Sequence, residues 1–191
     1  MATLDGDYGS IDPSGVSMWP TAMRYGVIAG VLSMILGLIM HLTGMVDMAA
    51  AAGGEGAGVG GMIQSIVGYA IWIGAVVMAV KYHRDSELGG YITFGRAFGT
   101  GFVTSLVMGV IGAVWTFVFF KFIAGDALDA IKEAAMENMS GDEVDVAGGM
   151  MDAMMSPGAM AGFAIAGSLI VGAILSLIVA AIMKKENPNT I

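Results

Sequence analysis

Apolar residues gather in four long runs along the chain, at about 25–46, 61–80, 97–120 and 159–183, each with few or no charges. A bilayer core of roughly 30 Å is crossed by about 20 apolar residues in a helix. The pattern therefore predicts an all-α integral membrane protein with four transmembrane helices. The first run exceeds the apolar stretch of about 7 to 15 residues in a secretory signal, and the segment before it is long and acidic, so it is expected to stay as an anchor.

Polar residues between the third and fourth runs are patterned too. Leu128, Ile131, Ala135, Met136 and Met139 recur at helical spacing with Asp129, Lys132, Glu133 and Glu137 mostly opposite, which predicts one amphipathic helix. Ser140-Gly141-Asp142-Glu143 reads as a capping box opening a second short helix that carries Ala147, Met150, Met151 and Met154 on one face. Ser156-Pro157 then starts the fourth span, with serine as cap and proline in the first turn. The expected organisation is a tail over 1–19, one membrane domain over 20–186 with an outer helical hairpin at about 124–156, and a short tail over 187–191.

Lipid offers helices no apolar surface to hide from water, so close approach at small residues has to supply much of their attraction. The fourth run places Ala164, Ser168, Gly172, Ser176 and Ala180 four apart, the third places Gly101, Ser105, Gly109 and Ala113 likewise, and the first opens with Gly26 and Gly30. These stripes predict a tight antiparallel bundle.

Composition agrees: 57% of residues are hydrophobic and 13% charged. With no cysteine, disulfides and thiolate chemistry are excluded. A net charge of −8 argues against nucleic acid as a partner, because phosphate binding needs clustered Lys and Arg. The basic residues are nevertheless sorted. Arg24, Lys81, Arg84, Arg96, Lys184 and Lys185 fall on one side of the predicted spans and only Lys121 and Lys132 on the other. The positive-inside rule then puts both termini in the cytoplasm and the acidic hairpin outside.

Candidate chemistry is sparse. Gly90 to Gly95 has the glycine spacing of a P-loop but lacks the Lys-Ser/Thr pair that holds phosphate and magnesium, so nucleotide binding is not expected. His83, beside Lys81 and Arg84, reads as an exposed interface residue. His41 and Gln64 are expected at similar depth near the outer interface, where a hydrogen bond between helices would make an intramembrane polar site. Methionines 136, 139, 150, 151, 154 and 155 in the hairpin suit a soft cation such as copper(I), yet methionine is abundant in the spans too, where it fills gaps. No catalytic set, cofactor site or metal site is predicted.

Between the second and third runs, Leu88-Gly89-Gly90-Tyr91-Ile92-Thr93-Phe94-Gly95-Arg96-Ala97-Phe98 follows the basic segment Lys81-Tyr82-His83-Arg84-Asp85. This stretch resembles the central signature of the DUF4199 family, as do Met23 to Gly30, the acidic insertion before the fourth run, and the ending from Gly172 to Lys185. The resemblance covers roughly residues 20 to 186 and implies a bacterial membrane protein, in the cytoplasmic (inner) membrane, of a family with no assigned reaction. Gly89, Gly90, Phe94, Gly95 and Arg96 are read as a cytoplasmic turn, with the glycine pair releasing the chain from the second span and Arg96 anchoring in the headgroups. The functional expectation is a non-enzymatic accessory or scaffold component that contacts other membrane proteins or its own copies. The alternative is a small transporter or channel subunit.

Overall fold

The computed structural model describes residues 15–46, 58–136 and 142–186. Among the described residues six helices follow one another: α1 (Trp19–Leu42), α2 (Gly58–Tyr82), α3 (Phe94–Val118), α4 (Gly125–Met136), α5 (Asp142–Met154) and α6 (Pro157–Met183). A π-helical turn extends α2 through His83–Glu87 and another extends α3 through Phe119–Ile123. The helices α1, α2, α3 and α6 are long and apolar enough to cross a membrane, and they pack together as an all-α membrane bundle. The six cations sorted by the sequence lie at one end, the basic end. The α4–α5 pair lies at the other.

Local chemistry sets the helix boundaries. Pro20 sits in the first turn of α1, where its missing N–H costs no intrahelical bond. At the other end the Thr43 hydroxyl donates to the Ile39 carbonyl at 2.8 Å, and Gly44 turns the chain away with φ 64°. For α6 the expected cap is present: Ser156 Oγ accepts from Ala159 N at 3.2 Å, and Pro157 follows. The Ser140 capping box and Met139 lie outside the described residues.

Centrally placed, α3 touches the other three spans. Its small residues meet those of α6 in antiparallel register: Gly101 faces Ser176, Ser105 faces Gly172 and Gly109 faces Ser168. A Cβ on Gly172 would stand 2.6 Å from the Ser105 Cβ, and one on Gly109 would collide with Ser168 Oγ. The same register runs on to Ala97 with Ala180, both fully buried. On another face of α3, Val107 and Ile111 fit against Gly26 and Gly30 of α1. The bulky side chains point the other way, with Ile35, Ile66, Ile170 and Ile182 all exposed. Small inside and large outside is the arrangement expected where lipid is the solvent. The predicted stripes are thus mated within the chain.

At the hairpin end, Leu128 of α4 is buried while Asp129 and Glu133 face outward, as the periodicity predicted. Gly148 of α5 lies against Met136, and Lys132 Nζ pairs with Asp152 Oδ1 at 2.8 Å. Met150 and Met154 are turned outward.

The hydrogen bond from Lys132 to Asp152 raises the Lys132 pKa above its ordinary value of 10.5, against the opposing effect of desolvation and with further help from the Asp152 and Asp129 charges. A raised folded-state pKa stabilises the hairpin below the unfolded lysine value and stops doing so as pH climbs through the folded one. The Asp152 side chain is 73% exposed, so water and salt reach the pair and the effect is small and salt-sensitive. Asp152→Asn should therefore speed cleavage of the hairpin by an alkaline protease at pH 8. The difference from wild type should vanish at strongly alkaline pH, once Lys132 has lost its proton.

Candidate functional site

Ionisable side chains converge at the basic end, where α2 runs past its apolar stretch. The π-helical turn at His83–Glu87 carries the chain to Leu88, whose N–H donates to the His83 carbonyl at 3.1 Å. Gly89 and Gly90 follow with φ 68° and 95°, a region closed to most L side chains. Gly90 N donates to the Arg84 carbonyl at 2.8 Å, so the pair reverses the chain as the sequence predicted. Gly90→Ala is expected to cost about 1–2 kcal/mol through backbone strain alone, since a Cβ there meets open space. Thermal unfolding in a fixed detergent should show that loss, and an equal loss should not follow Gly95→Ala, where the backbone is unstrained and the surroundings are open.

The turn is tied down from two sides. Ile92 and Lys185 exchange backbone hydrogen bonds of 2.9 Å in both directions, and Lys185 Nζ lies 5.1 Å over the Tyr91 ring. Arg84 pairs with Asp85 at 2.6 Å and reaches the Met183 carbonyl at 3.3 Å. Beneath them Val76, Val80, Leu88, Ile92, Ala97, Val179 and Ala180 form an apolar core, against which Val16 also packs.

Reversal of the chain brings Arg96, near the start of α3, back to His83 at the end of α2. Arg96 Nε donates to His83 Nε2 at 3.0 Å, and Arg96 Nη2 donates to the Val16 carbonyl. An Nε2 that accepts leaves the ring proton on Nδ1, which donates to Glu87 Oε2 one helical turn later. Glu87 Oε1 accepts from Thr21 Oγ1 of α1 at 2.6 Å. His83 is fully buried, and of the pair only Glu87, 26% exposed, meets solvent.

The result is a chain of groups from a guanidinium through an uncharged imidazole to a carboxylate. Its charges balance, and it joins the segment before α1, α1 itself, α2 and α3. Buried charges of one sign would be costly here, whereas a satisfied network fixes the relative placement of its members.

Two sequence expectations change. His83 is not an exposed interface residue, because Arg96 and Glu87 draw its ring into the bundle. Arg96 is not a headgroup anchor, because its guanidinium turns inward to His83 and Val16. Of the other residues in the turn, Phe94 is 41% exposed and Gly95 has no close neighbour; nothing in the structure explains why Gly95 is glycine.

His41 and Gln64 do occupy the hairpin half of the bundle but are not bonded to each other. The His41 ring meets Phe119 edge-on with centroids 4.9 Å apart. Gln64 Nε2 lies toward Gly37, a turn earlier on α1, alongside Trp115 Nε1. Phe119 thus claims the imidazole. The spacing of His83 and Glu87, four apart, was the one signal in the sequence for the buried network.

The family model for DUF4199, described as a protein of unknown function, matches residues 24–185, which takes in the bundle and nearly the whole basic-end network. No curated protein matches the chain, and no solved structure matches it.

Proposed function

This chain belongs to the DUF4199 family, and from that premise we propose that it is a non-enzymatic accessory or scaffold component of the bacterial cytoplasmic membrane. The positive-inside rule assigns the basic end, with both termini, to the cytoplasm and the acidic hairpin to the outer side.

The observation that carries this reading is how the interior is used. The small-residue stripes of α1, α3 and α6 are mated with one another, so they are not left over for partners. The charges of the buried network, Arg96 and Glu87, balance through His83 across three helices. A body clamped in this way holds its outer surfaces in fixed positions. Those surfaces are the apolar flanks and the hairpin, where Asp129 is 80% and Asp152 73% exposed on the side chain. An exposed acidic hairpin on a rigid base suits a basic loop of a neighbouring membrane protein.

Extraction of the tagged protein in native lipid, followed by mass spectrometry, tests this. Stoichiometric recovery of a second membrane protein, reduced when Asp129, Glu133 and Asp152 are changed to asparagine or glutamine, is the expected result. A monomer that brings down no partner under cross-linking contradicts it.

A transporter or channel subunit is the second reading, and Gln64 is the observation in its favour. This amide stands half-buried among apolar residues, beside Trp115 and opposite Gly37, where polar groups in membranes serve solute or ion paths. Flux through reconstituted vesicles that is unchanged by Gln64→Leu with His41→Ala removes that assignment.

A further inference from the structure

Arg24 stands apart from the other arginines. Arg84 is paired with Asp85, and Arg96 is held by His83 and Val16. Among the described residues no carboxylate comes within ion-pairing distance of Arg24. Its guanidinium instead lies 6.0 Å from the centroids of two rings, Tyr25 beside it on α1 and Tyr82 across on α2, and those rings are themselves 6.0 Å apart. The nearest acid of the buried network, Glu87, is already engaged by Thr21 and His83. A cation is thus held at the rim of the bundle by aromatic faces from two helices, and among the described residues its hydrogen-bonding edge is left over.

Below that cation the surface becomes apolar and stays exposed. Ile28 and Leu32, one and two turns deeper on α1, are each 48% exposed, and Met78, one turn deeper than Tyr82 on α2, is 56% exposed. A Cβ on Gly74, one turn further, would meet nothing within 4 Å, so the track is wide at that depth. The order from the rim inward is therefore cation and phenols, then two turns of exposed aliphatic surface at membrane depth.

We propose that the α1–α2 flank is a binding site for an anionic phospholipid, with the phosphate on Arg24 between Tyr25 and Tyr82 and an acyl chain along Ile28, Leu32 and Met78. Guanidinium donors fit phosphate oxygens in a planar fork, and phenol hydroxyls at headgroup level add donors. Charge complementarity selects an anionic over a zwitterionic headgroup. The aliphatic track selects a lipid over a free phosphate ion. This site stands whether the chain is a scaffold or a transporter subunit, since it rests on the membrane span and not on either role.

The test is native mass spectrometry of the purified full chain with equal amounts of phosphatidylglycerol and phosphatidylcholine added, and a separate arm containing inorganic phosphate. Wild type should retain phosphatidylglycerol in preference. Arg24→Ala should lower that retention about fivefold, the equivalent of roughly 1 kcal/mol per surface cation. Tyr82→Leu, which leaves every charge in place, should lower it about threefold, as expected for one lost cation–π contact. Lys184→Ala, at the same end with no ring partner among the described residues, should leave it nearly unchanged.

Equal losses from Arg24→Ala and Lys184→Ala overturn the proposal in favour of general attraction to a basic surface. Equal retention of the two lipids overturns it too, and so does displacement of lipid by inorganic phosphate, which indicates a free-anion site. If Arg24→Ala does not fold, Tyr82→Leu against Lys184→Ala makes the same comparison.

Discussion

Gly109→Val is expected to be among the most damaging single changes in the protein, costing about 3 kcal/mol or more. A Cβ at that position collides with the Ser168 hydroxyl and lies 2.6 Å from the Ser168 Cβ, and α3 and α6 have no softer neighbour to displace there. Two extra methyl groups must push the helices apart along their tightest seam. The contacts at Gly101 and Gly172 are lost with the one at Gly109, because all three sit in one register. Thermal unfolding followed by loss of monodisperse protein in a fixed lipid–detergent mixture measures the effect. Gly112→Val is the control, because a Cβ on Gly112 meets nothing within 4 Å; it should be nearly neutral. Gly109→Ala should also destabilise, and adding Ser168→Gly should restore most of the loss, since the pair then exchanges its large and small members. Near-wild-type stability of Gly109→Val contradicts the close approach of the two helices.

Arg96→Ala is expected to cost about 2 kcal/mol and to release the segment before α1. Breaking a buried ion pair by removing one partner costs about 3–5 kcal/mol in general. Here the effect is smaller, because the Glu87 side chain is 26% exposed and water reaches part of it. Two donors disappear at once, one to His83 Nε2 and one to the Val16 carbonyl. Amide exchange over residues 15–18 should therefore quicken along with the loss of stability. Glu87→Gln removes the opposite charge, so the double variant with Arg96→Ala should lose clearly less than the sum of the two single changes. Strict additivity, with unaltered exchange at the segment before α1, contradicts a coupled network.

Much of this fold could be read from residue types and spacing. Hydropathy located the four spans and periodicity found α4, while the four-residue spacing of Gly101, Ser105 and Gly109 with Ser168, Gly172 and Ser176 anticipated the main seam. The boundaries were less legible, for a physical reason: hydropathy reports burial in lipid, whereas a helix continues wherever its backbone bonds are satisfied. So α1 begins at Trp19, six residues before its apolar run, and α2 runs on through polar Lys81 to Glu87 by a π-helical turn. The basic-end network was hidden in the same way. His83 and Arg96 are 13 residues apart, and nothing in their types says that the Gly89–Gly90 reversal will set them face to face. Beside Lys81 and Arg84, His83 reads as one more exposed interface residue. What inverts that reading is the pair of partners, one on each ring nitrogen. His41 misled in the opposite direction, since a polar residue on an apolar span invites a polar partner and found Phe119.

His83 is the uncharged bridge between Arg96 and Glu87, and the chain has only two histidines. Nitrogen-15 solid-state NMR of histidine-labelled protein in lipid bilayers at neutral pH, with His41→Gln used to assign the signals, tests it directly. His83 should show one protonated nitrogen, Nδ1, and one bare nitrogen, Nε2, with the bare signal altered by Arg96→Ala. Two protonated nitrogens, or a ring signal that exchanges freely with solvent and ignores Arg96→Ala, would contradict it.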